Sequence, residues 1–87
     1  MKVTATDILL AWMADNFQLG DVIFSHQIQT EVPQYGKAVY GKLHTPATYD
    51  RRWRELRTEK RYKEIGVSRI EDVSSHFETS ENAWQLR

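Results

Sequence analysis

The sequence predicts an α+β fold of three helices closed by a C-terminal β-hairpin, and three observations lead there. A capped, arginine-dense amphipathic helix fills residues 45–60, two apolar stripes at helical spacing precede it, and a β-favouring pattern runs from residue 62 to the C-terminus. With 87 residues the chain has material for one domain, 1–87. Its single core would bury roughly 60 to 65% of the unfolded surface.

The first helix is expected over about 6–17. Thr6 or Asp7 offers an N-cap, Ile8, Leu9, Trp12 and Met13 form the stripe, and the segment from Asn16 to Gly20 ends it. Val22, Ile23 and Phe24 make a short apolar run, long enough for a stub of strand. Ser25 then caps a second helix over 25–33, in which Ile28 and Val32 give the i, i+4 pair and Pro33 gives the stop. Residues 33–45 contain two Tyr-Gly-Lys triplets. They suggest a glycine-articulated loop with Tyr35 and Tyr40 tucked inward, although 37–42 has the length for a turn of helix.

The third helix is the best marked. Thr45 stands where an N-cap oxygen accepts from a free backbone N–H, and Pro46 takes the first helical position, where its missing N–H costs nothing. Tyr49, Trp53, Leu56 and Lys60 fall on one face, which anchors the helix on a core. At about 100° per residue, Ala47, Thr48, Arg51, Arg54, Glu55 and Thr58 fall on the other. Small residues followed by arginines let a helix approach a groove closely and reach phosphates and guanines.

Beyond it, Tyr62 to Val73 reads as a strand whose alternation slips once between Val67 and Ile70. A polar tip from Ser74 to Asn82 surrounds Phe77, and Trp84 and Leu86 alternate in a closing strand, giving a hairpin over 62–87. Trp12, Trp53 and Trp84 fall on the core stripes, where an aromatic cluster explains them better than base stacking.

Net charge is zero but unevenly placed. Residues 37–63 hold nine Lys or Arg against three Asp or Glu, a net +6, so the remainder carries −6. With a screening length of about 8 Å at physiological salt, distant acids cancel little of a local basic field. The same division permits head-to-tail self-association. No segment approaches the roughly 18 apolar residues of a membrane span, and no signal-type apolar block is present, so a cytoplasmic protein is expected. Cysteine is absent, and His26, His44 and His76 have no ligand spacing, which leaves no expected metal site or cofactor.

Gly36 to Lys42 satisfies most of a phosphate-binding loop, yet Leu43 stands where Ser or Thr must hold magnesium, so nucleotide binding is not expected. Glu71 and Asp72 face opposite sides of a strand, unsuited to converging acid–base work, and no catalytic set emerges. Lys37 and Lys42 suit a DNA backbone or solvent, and His26 and His44 each have the chemistry to bond a phosphate.

Helix, stub, helix, linker, basic helix and hairpin is the order of the winged helix-turn-helix superfamily, which the chain resembles over nearly its whole length. Phe24-Ser25 followed by Ile28 and Val32 resembles that family's strand stub and capped second helix. Thr48-Tyr49-Asp50-Arg51-Arg52-Trp53-Arg54-Glu55-Leu56 resembles its recognition helix, and Trp84-Gln85-Leu86 its closing strand. The resemblance implies double-stranded DNA binding, with the third helix in the major groove and the hairpin, or wing, against the backbone. Thr48, Arg51 and Arg52 then fall at base-reading or phosphate positions, Arg54 and Arg57 at flanking phosphates, and Ser25, Lys37, Lys42 and His44 around them.

The chain departs from the family twice. The linker over 33–45 is longer than a tight turn, and from Ser74 to Leu86 there is no Lys or Arg while Glu78 and Glu81 are present. Winged helices also serve as protein-interaction modules, so docking on an acidic partner is the alternative expectation. The small, self-contained size resembles phage or other mobile-element transcriptional regulators, and a homodimer or larger complex would supply binding area.

Overall fold

The structure, a computed structural model, describes residues 2–78 and 80–87; Met1 and Thr79, the latter within the predicted hairpin tip, lie outside the described residues. Helix α1 spans Ala5–Asn16 and starts one residue earlier than the sequence reading places it. Thr4 is the cap: its Oγ1 accepts from the Asp7 N–H at 3.2 Å, while Asp7 Oδ2 accepts from the Thr4 N–H at 3.0 Å. That reciprocal box satisfies two of the free donors at the helix start, which neither Thr6 nor Asp7 alone would do. Ile8, Leu9, Trp12 and Met13 are buried as the stripe requires, and Leu10 joins them. Each such side chain contributes about 1.5–3 kcal/mol relative to exposure.

Gly20, at φ +94°, turns the chain into strand β1, Val22–Phe24. Helix α2 follows as Ser25–Tyr35. Ser25 is its first residue rather than its cap. The Gln27 side chain accepts from the Phe24 N–H at 2.8 Å, and the Ser25 N–H donates to Asn82 O at 3.0 Å, tying the helix start to the hairpin.

Pro33 does not stop α2. The helix runs through it and widens to π winding over Gly36–Tyr40, so most of the expected loop is helical and only 41–45 is not. A proline this far into a helix removes one ladder bond, a cost of about 3 kcal/mol that tertiary packing must offset. That packing includes fully buried Val32 and a Tyr35 hydroxyl that donates to Asp15 Oδ2 at 2.5 Å, raising the Tyr35 pKa to about 12. Gly41, at φ +64°, ends the helical run in the left-handed conformation that glycine adopts without strain. Tyr35 is half-buried and packs edge-on against Tyr40, but Tyr40 itself is exposed, contrary to the inward tuck expected for both.

Helix α3, Pro46–Thr58, begins as expected: Thr45 Oγ1 accepts from the Thr48 N–H at 3.2 Å with Pro46 at the first position. Tyr49, Trp53 and Leu56 are buried against α1 and α2. Lys60 leaves the stripe, because the helix ends before it and the residue takes φ +59°.

The following segment corrects the expected long strand. Arg61–Ile65 is a 3-10 turn that buries Tyr62, and β2 is only Ile70–Asp72. The left-handed residues Lys60 and Gly66 bracket that turn, so the β preference of Ile65 and Val67 is overridden by burial of Tyr62 and Val67. Strand β3, Ala83–Leu86, pairs antiparallel with β2 as the expected hairpin, and also with β1. The sheet order is β1-β3-β2, with Ile23 opposite Trp84 and Ile70 opposite Leu86. Three helices thus pack with a small three-stranded antiparallel sheet, an α+β fold. The central strand buries Ala83, Trp84 and Leu86.

Gly36 sits where α1, α2 and α3 meet. A Cβ there would lie 2.6 Å from the Tyr49 hydroxyl and 3.3 Å from Ile8 Cγ2. The Tyr49 ring is fully buried and its hydroxyl has no hydrogen-bond partner among the described residues. Gly36→Ala would gain about 1 kcal/mol of helix propensity, but the overlap with a ring that cannot retreat should outweigh it, for a net loss of roughly 1–2 kcal/mol in urea unfolding. Tyr49→Phe removes the overlapping atom and an unpaired buried hydroxyl, so it should be neutral or stabilising. In that background Gly36→Ala should no longer destabilise; additive effects of the two substitutions would refute the contact as the cause.

Candidate functional site

Helix α3 presents three faces, and the predicted site residues divide among them. With Tyr49, Trp53 and Leu56 fixed on the core, residues about 180° away form an outer ridge. Ala47, Arg51, Arg54 and Thr58 occupy that ridge and are exposed. Neither Arg51 nor Arg54 forms an ion pair among the described residues. Two cationic groups therefore project on one side of the helix, with a small residue at its N-terminal end.

One flank of the ridge opens on a cleft of about 540 Å³ between α3, the start of α2 and the hairpin end. Arg51, Arg54, Arg57 and Ser25 all border it, together with Trp53 and Trp84. Arg57 is half-buried. Its guanidinium lies 4.8 Å from the Trp84 ring centroid and 5.7 Å from that of Trp53, while the two indoles meet edge to face at 5.4 Å. Loss of hydration lowers the Arg57 pKa below its ordinary value, partly opposed by the Asp72 carboxylate. Asp50 and Glu81 also border the cleft. Asp50 accepts from Gln29 Nε2 at 2.8 Å, and Glu81 lies 2.6 Å from His26 Nδ1, so both carboxylates are engaged.

The other flank carries Thr48, Arg52 and His44. With Lys2, Thr4 and Arg61 they line a second cleft of about 460 Å³ beneath the start of α1. Thr48 is half-buried and shares a 2.9 Å hydrogen bond with Thr45 Oγ1. Arg52 is held by Glu55 at 2.6 Å. His44 packs edge-on against Tyr49 and its Nε2 is buried, so that nitrogen does not face outward. The structure thus gathers Arg51, Arg54, Arg57 and Ser25 at one place and sets Thr48, Arg52 and His44 apart from them. The physical cause is the pitch of the helix, which turns residues 48 and 52 onto the flank. Lys37 and Lys42 are exposed and border neither cleft.

Sequence reasoning assigned Trp53 and Trp84 to the core only. Their place at the edge of an arginine cleft follows from the register of β3 on β1 and from Arg57 lying one turn beyond Trp53. The latter spacing was visible in the sequence as an i, i+4 aromatic–cation pair. No protein-family model matches the chain, and no similar characterised protein or solved structure was found.

The hairpin behind Arg57 is pinned by Asp72. Its Oδ1 accepts from Ser74 Oγ at 2.5 Å and from the Ser74 N–H at 2.9 Å, and Ser74 Oγ in turn accepts from the Ala83 N–H at 3.0 Å. The Ser74 hydrogen bonds, with a smaller contribution from Arg57, lower the Asp72 pKa below 3.8. A depressed folded value means that the stabilisation is complete above the unfolded value of 3.8 and is lost as pH falls through the lower folded value. Asp72→Asn should therefore lower stability at neutral pH and flatten its decline on acidification, measured as urea midpoints from about pH 6 to pH 2. An unchanged acid profile would exclude Asp72 as a source of that dependence.

Proposed function

We propose that the chain is a winged helix-turn-helix domain that binds double-stranded DNA with sequence preference, as a small cytoplasmic transcriptional regulator or accessory DNA protein. The observation that carries this proposal is the outer ridge of α3, where Arg51 and Arg54, neither in an ion pair among the described residues, stand beside Ala47 on the most basic stretch of the chain. Arginines free of carboxylates retain their donors for phosphates and guanine edges, and a small residue at the helix start allows close approach to a major groove. Three helices with a three-stranded antiparallel sheet of order β1-β3-β2 are compatible with such a layout.

A domain of this size covers about 600–1,000 Å² on DNA, so useful affinity calls for a second copy or a larger complex. The roles expected of Thr48, Arg52 and His44 narrow accordingly. Thr48 and Arg52 act on the flank, where they orient the helix start, and Lys37 and Lys42 act only as backbone contacts.

Fluorescence anisotropy of a labelled duplex of randomised sequence provides the test. If about five phosphates are contacted, affinity should fall by roughly 10²- to 10³-fold between about 50 and 200 mM salt. On a preferred site, Arg51→Ala should cost roughly 1–3 kcal/mol and relax selection at one base position, whereas Lys42→Ala should weaken all sequences about equally. Equal, sequence-blind losses from both variants would eliminate base reading by Arg51.

The alternative, a winged helix that docks an acidic protein, is favoured by one observation. Val39 and Leu43, the latter 81% exposed, flank Lys37 and Lys42 as an apolar and basic surface away from the ridge. Absence of any duplex binding even at about 50 mM salt would shift the function to that surface.

A further inference from the structure

We infer that Asp50 is a base-reading residue, whose carboxylate accepts from the N4 amino group of a cytosine in the major groove beside the contacts of the arginine ridge. This inference rests on the DNA-binding proposal and names one base of the preferred site.

Asp50 is the one acid of residues 37–63 that borders the cleft at the flank of the ridge, next to Arg51 and one turn before Arg54. An aspartate four residues ahead of an arginine on a helix ordinarily pairs with it. No such ion pair forms among the described residues. Asp50 Oδ2 instead accepts from Gln29 Nε2 of α2 at 2.8 Å, in an exposed hydrogen bond. A carboxylate can only accept, so the amide has to turn its NH₂ group toward it. The donor is neutral; it fixes where the carboxylate stands and leaves the negative charge in place.

The other oxygen is open. Asp50 Oδ1 has no hydrogen bond among the described residues, and it is not one of the buried polar atoms without a partner, so this half-buried side chain keeps an accessible acceptor at the cleft. Such a charge works against sequence-blind binding, because it repels the phosphates that Arg51 and Arg54 attract. It suits a donor on a base edge. In the major groove those donors are the amino groups of cytosine and adenine, and adenine sets its N7 acceptor beside the amino group, where it repels a carboxylate. Cytosine has no acceptor there. Arginine takes the opposite pattern, the O6 and N7 acceptors of guanine. An aspartate and an arginine at successive positions of one helix therefore match a cytosine and a guanine close together in the site.

Sites selected from the randomised duplex by the wild-type protein should carry a cytosine at one position, distinct from the position that Arg51→Ala relaxes. Asp50→Asn keeps an oxygen for Gln29 and loses the charge. It should bind the unselected duplex about 2- to 5-fold more tightly and the selected site at least about 5-fold more weakly, with adenine replacing cytosine at that position. In the wild-type protein, replacing that cytosine by 2-pyrimidinone, which lacks the amino group, should weaken binding by about 5- to 50-fold. This measurement stands even if the variant fails to fold.

Higher affinity of Asp50→Asn for both duplexes with unchanged selection would reduce Asp50 to a repelling charge, and lower affinity for both with unchanged selection would reduce it to a tie between α2 and α3. Either result overturns base reading and leaves DNA binding intact, as does wild-type binding that is equal for all sequences or insensitive to every cytosine amino group of the selected site. Failure of the wild-type protein to bind any duplex at low salt would overturn both.

Discussion

The edge-to-face contact of Trp53 with Trp84 is the joint on which the described arrangement turns. One ring comes from α3 and the other from the central strand of the sheet, and both are almost fully buried. Such a pair is worth about 0.5–1.5 kcal/mol beyond its buried area. Its geometric consequence is larger than its energy. Tyr49 and Leu56, on the same stripe, fix α3 to the helical layer, and Trp53 fixes the same helix to the sheet. The rotation of α3 about its axis is then determined, which sends Arg51 and Arg54 outward, Arg57 onto the indoles, and Thr48 and Arg52 toward α1.

Rotation alone does not leave a basic ridge open in a chain of zero net charge; the acids also have to be occupied elsewhere. They are distributed as local partners. Asp7 closes the α1 capping box, Asp72 pins the hairpin turn, Glu55 and Glu64 take Arg52 and Arg61 at i, i+3, and Glu71 pairs with Arg87. Exposed pairs of this kind add little stability. The glutamates among them neutralise the flanking cations and leave Arg51 and Arg54 without an ion pair among the described residues. A zero sum and a one-sided basic surface are therefore compatible, because these carboxylates are taken up in direct contacts away from the ridge.

The parts of the fold that are legible in the sequence are those set by local rules. The start of α3 follows from Thr45 and Pro46, and its buried stripe from the spacing of three large residues. The β2–β3 pairing follows from two extended runs around a polar tip. What is not legible depends on contacts distant in sequence. Pro33 ordinarily ends a helix, yet α2 continues through it because Val32, Tyr35 and Gly36 are held from outside the segment. The β-favouring residues after α3 form only a three-residue strand, because Tyr62 turns into the core first. β1 pairs with the far end of the chain, a register that no pattern within Val22–Phe24 specifies. The candidate site divides the same way. Arg51 and Arg54 are readable from helical spacing, whereas the cleft exists only once β3 brings Trp84 beside Trp53.

This dependence places the joint and the candidate site under opposing demands. A core contact is best served by full enclosure, but Trp53 and Trp84 lie at the edge of an opening, with their N–H groups unpaired among the described residues and the half-buried Arg57 guanidinium against both rings. Replacing Arg57 by an aliphatic residue of similar length would cover both rings without desolvating a charge, and on packing grounds alone it would suit the site at least as well. What the guanidinium brings instead is contact with both ring faces and attraction to the Asp72 carboxylate, which partly offset the hydration it gives up.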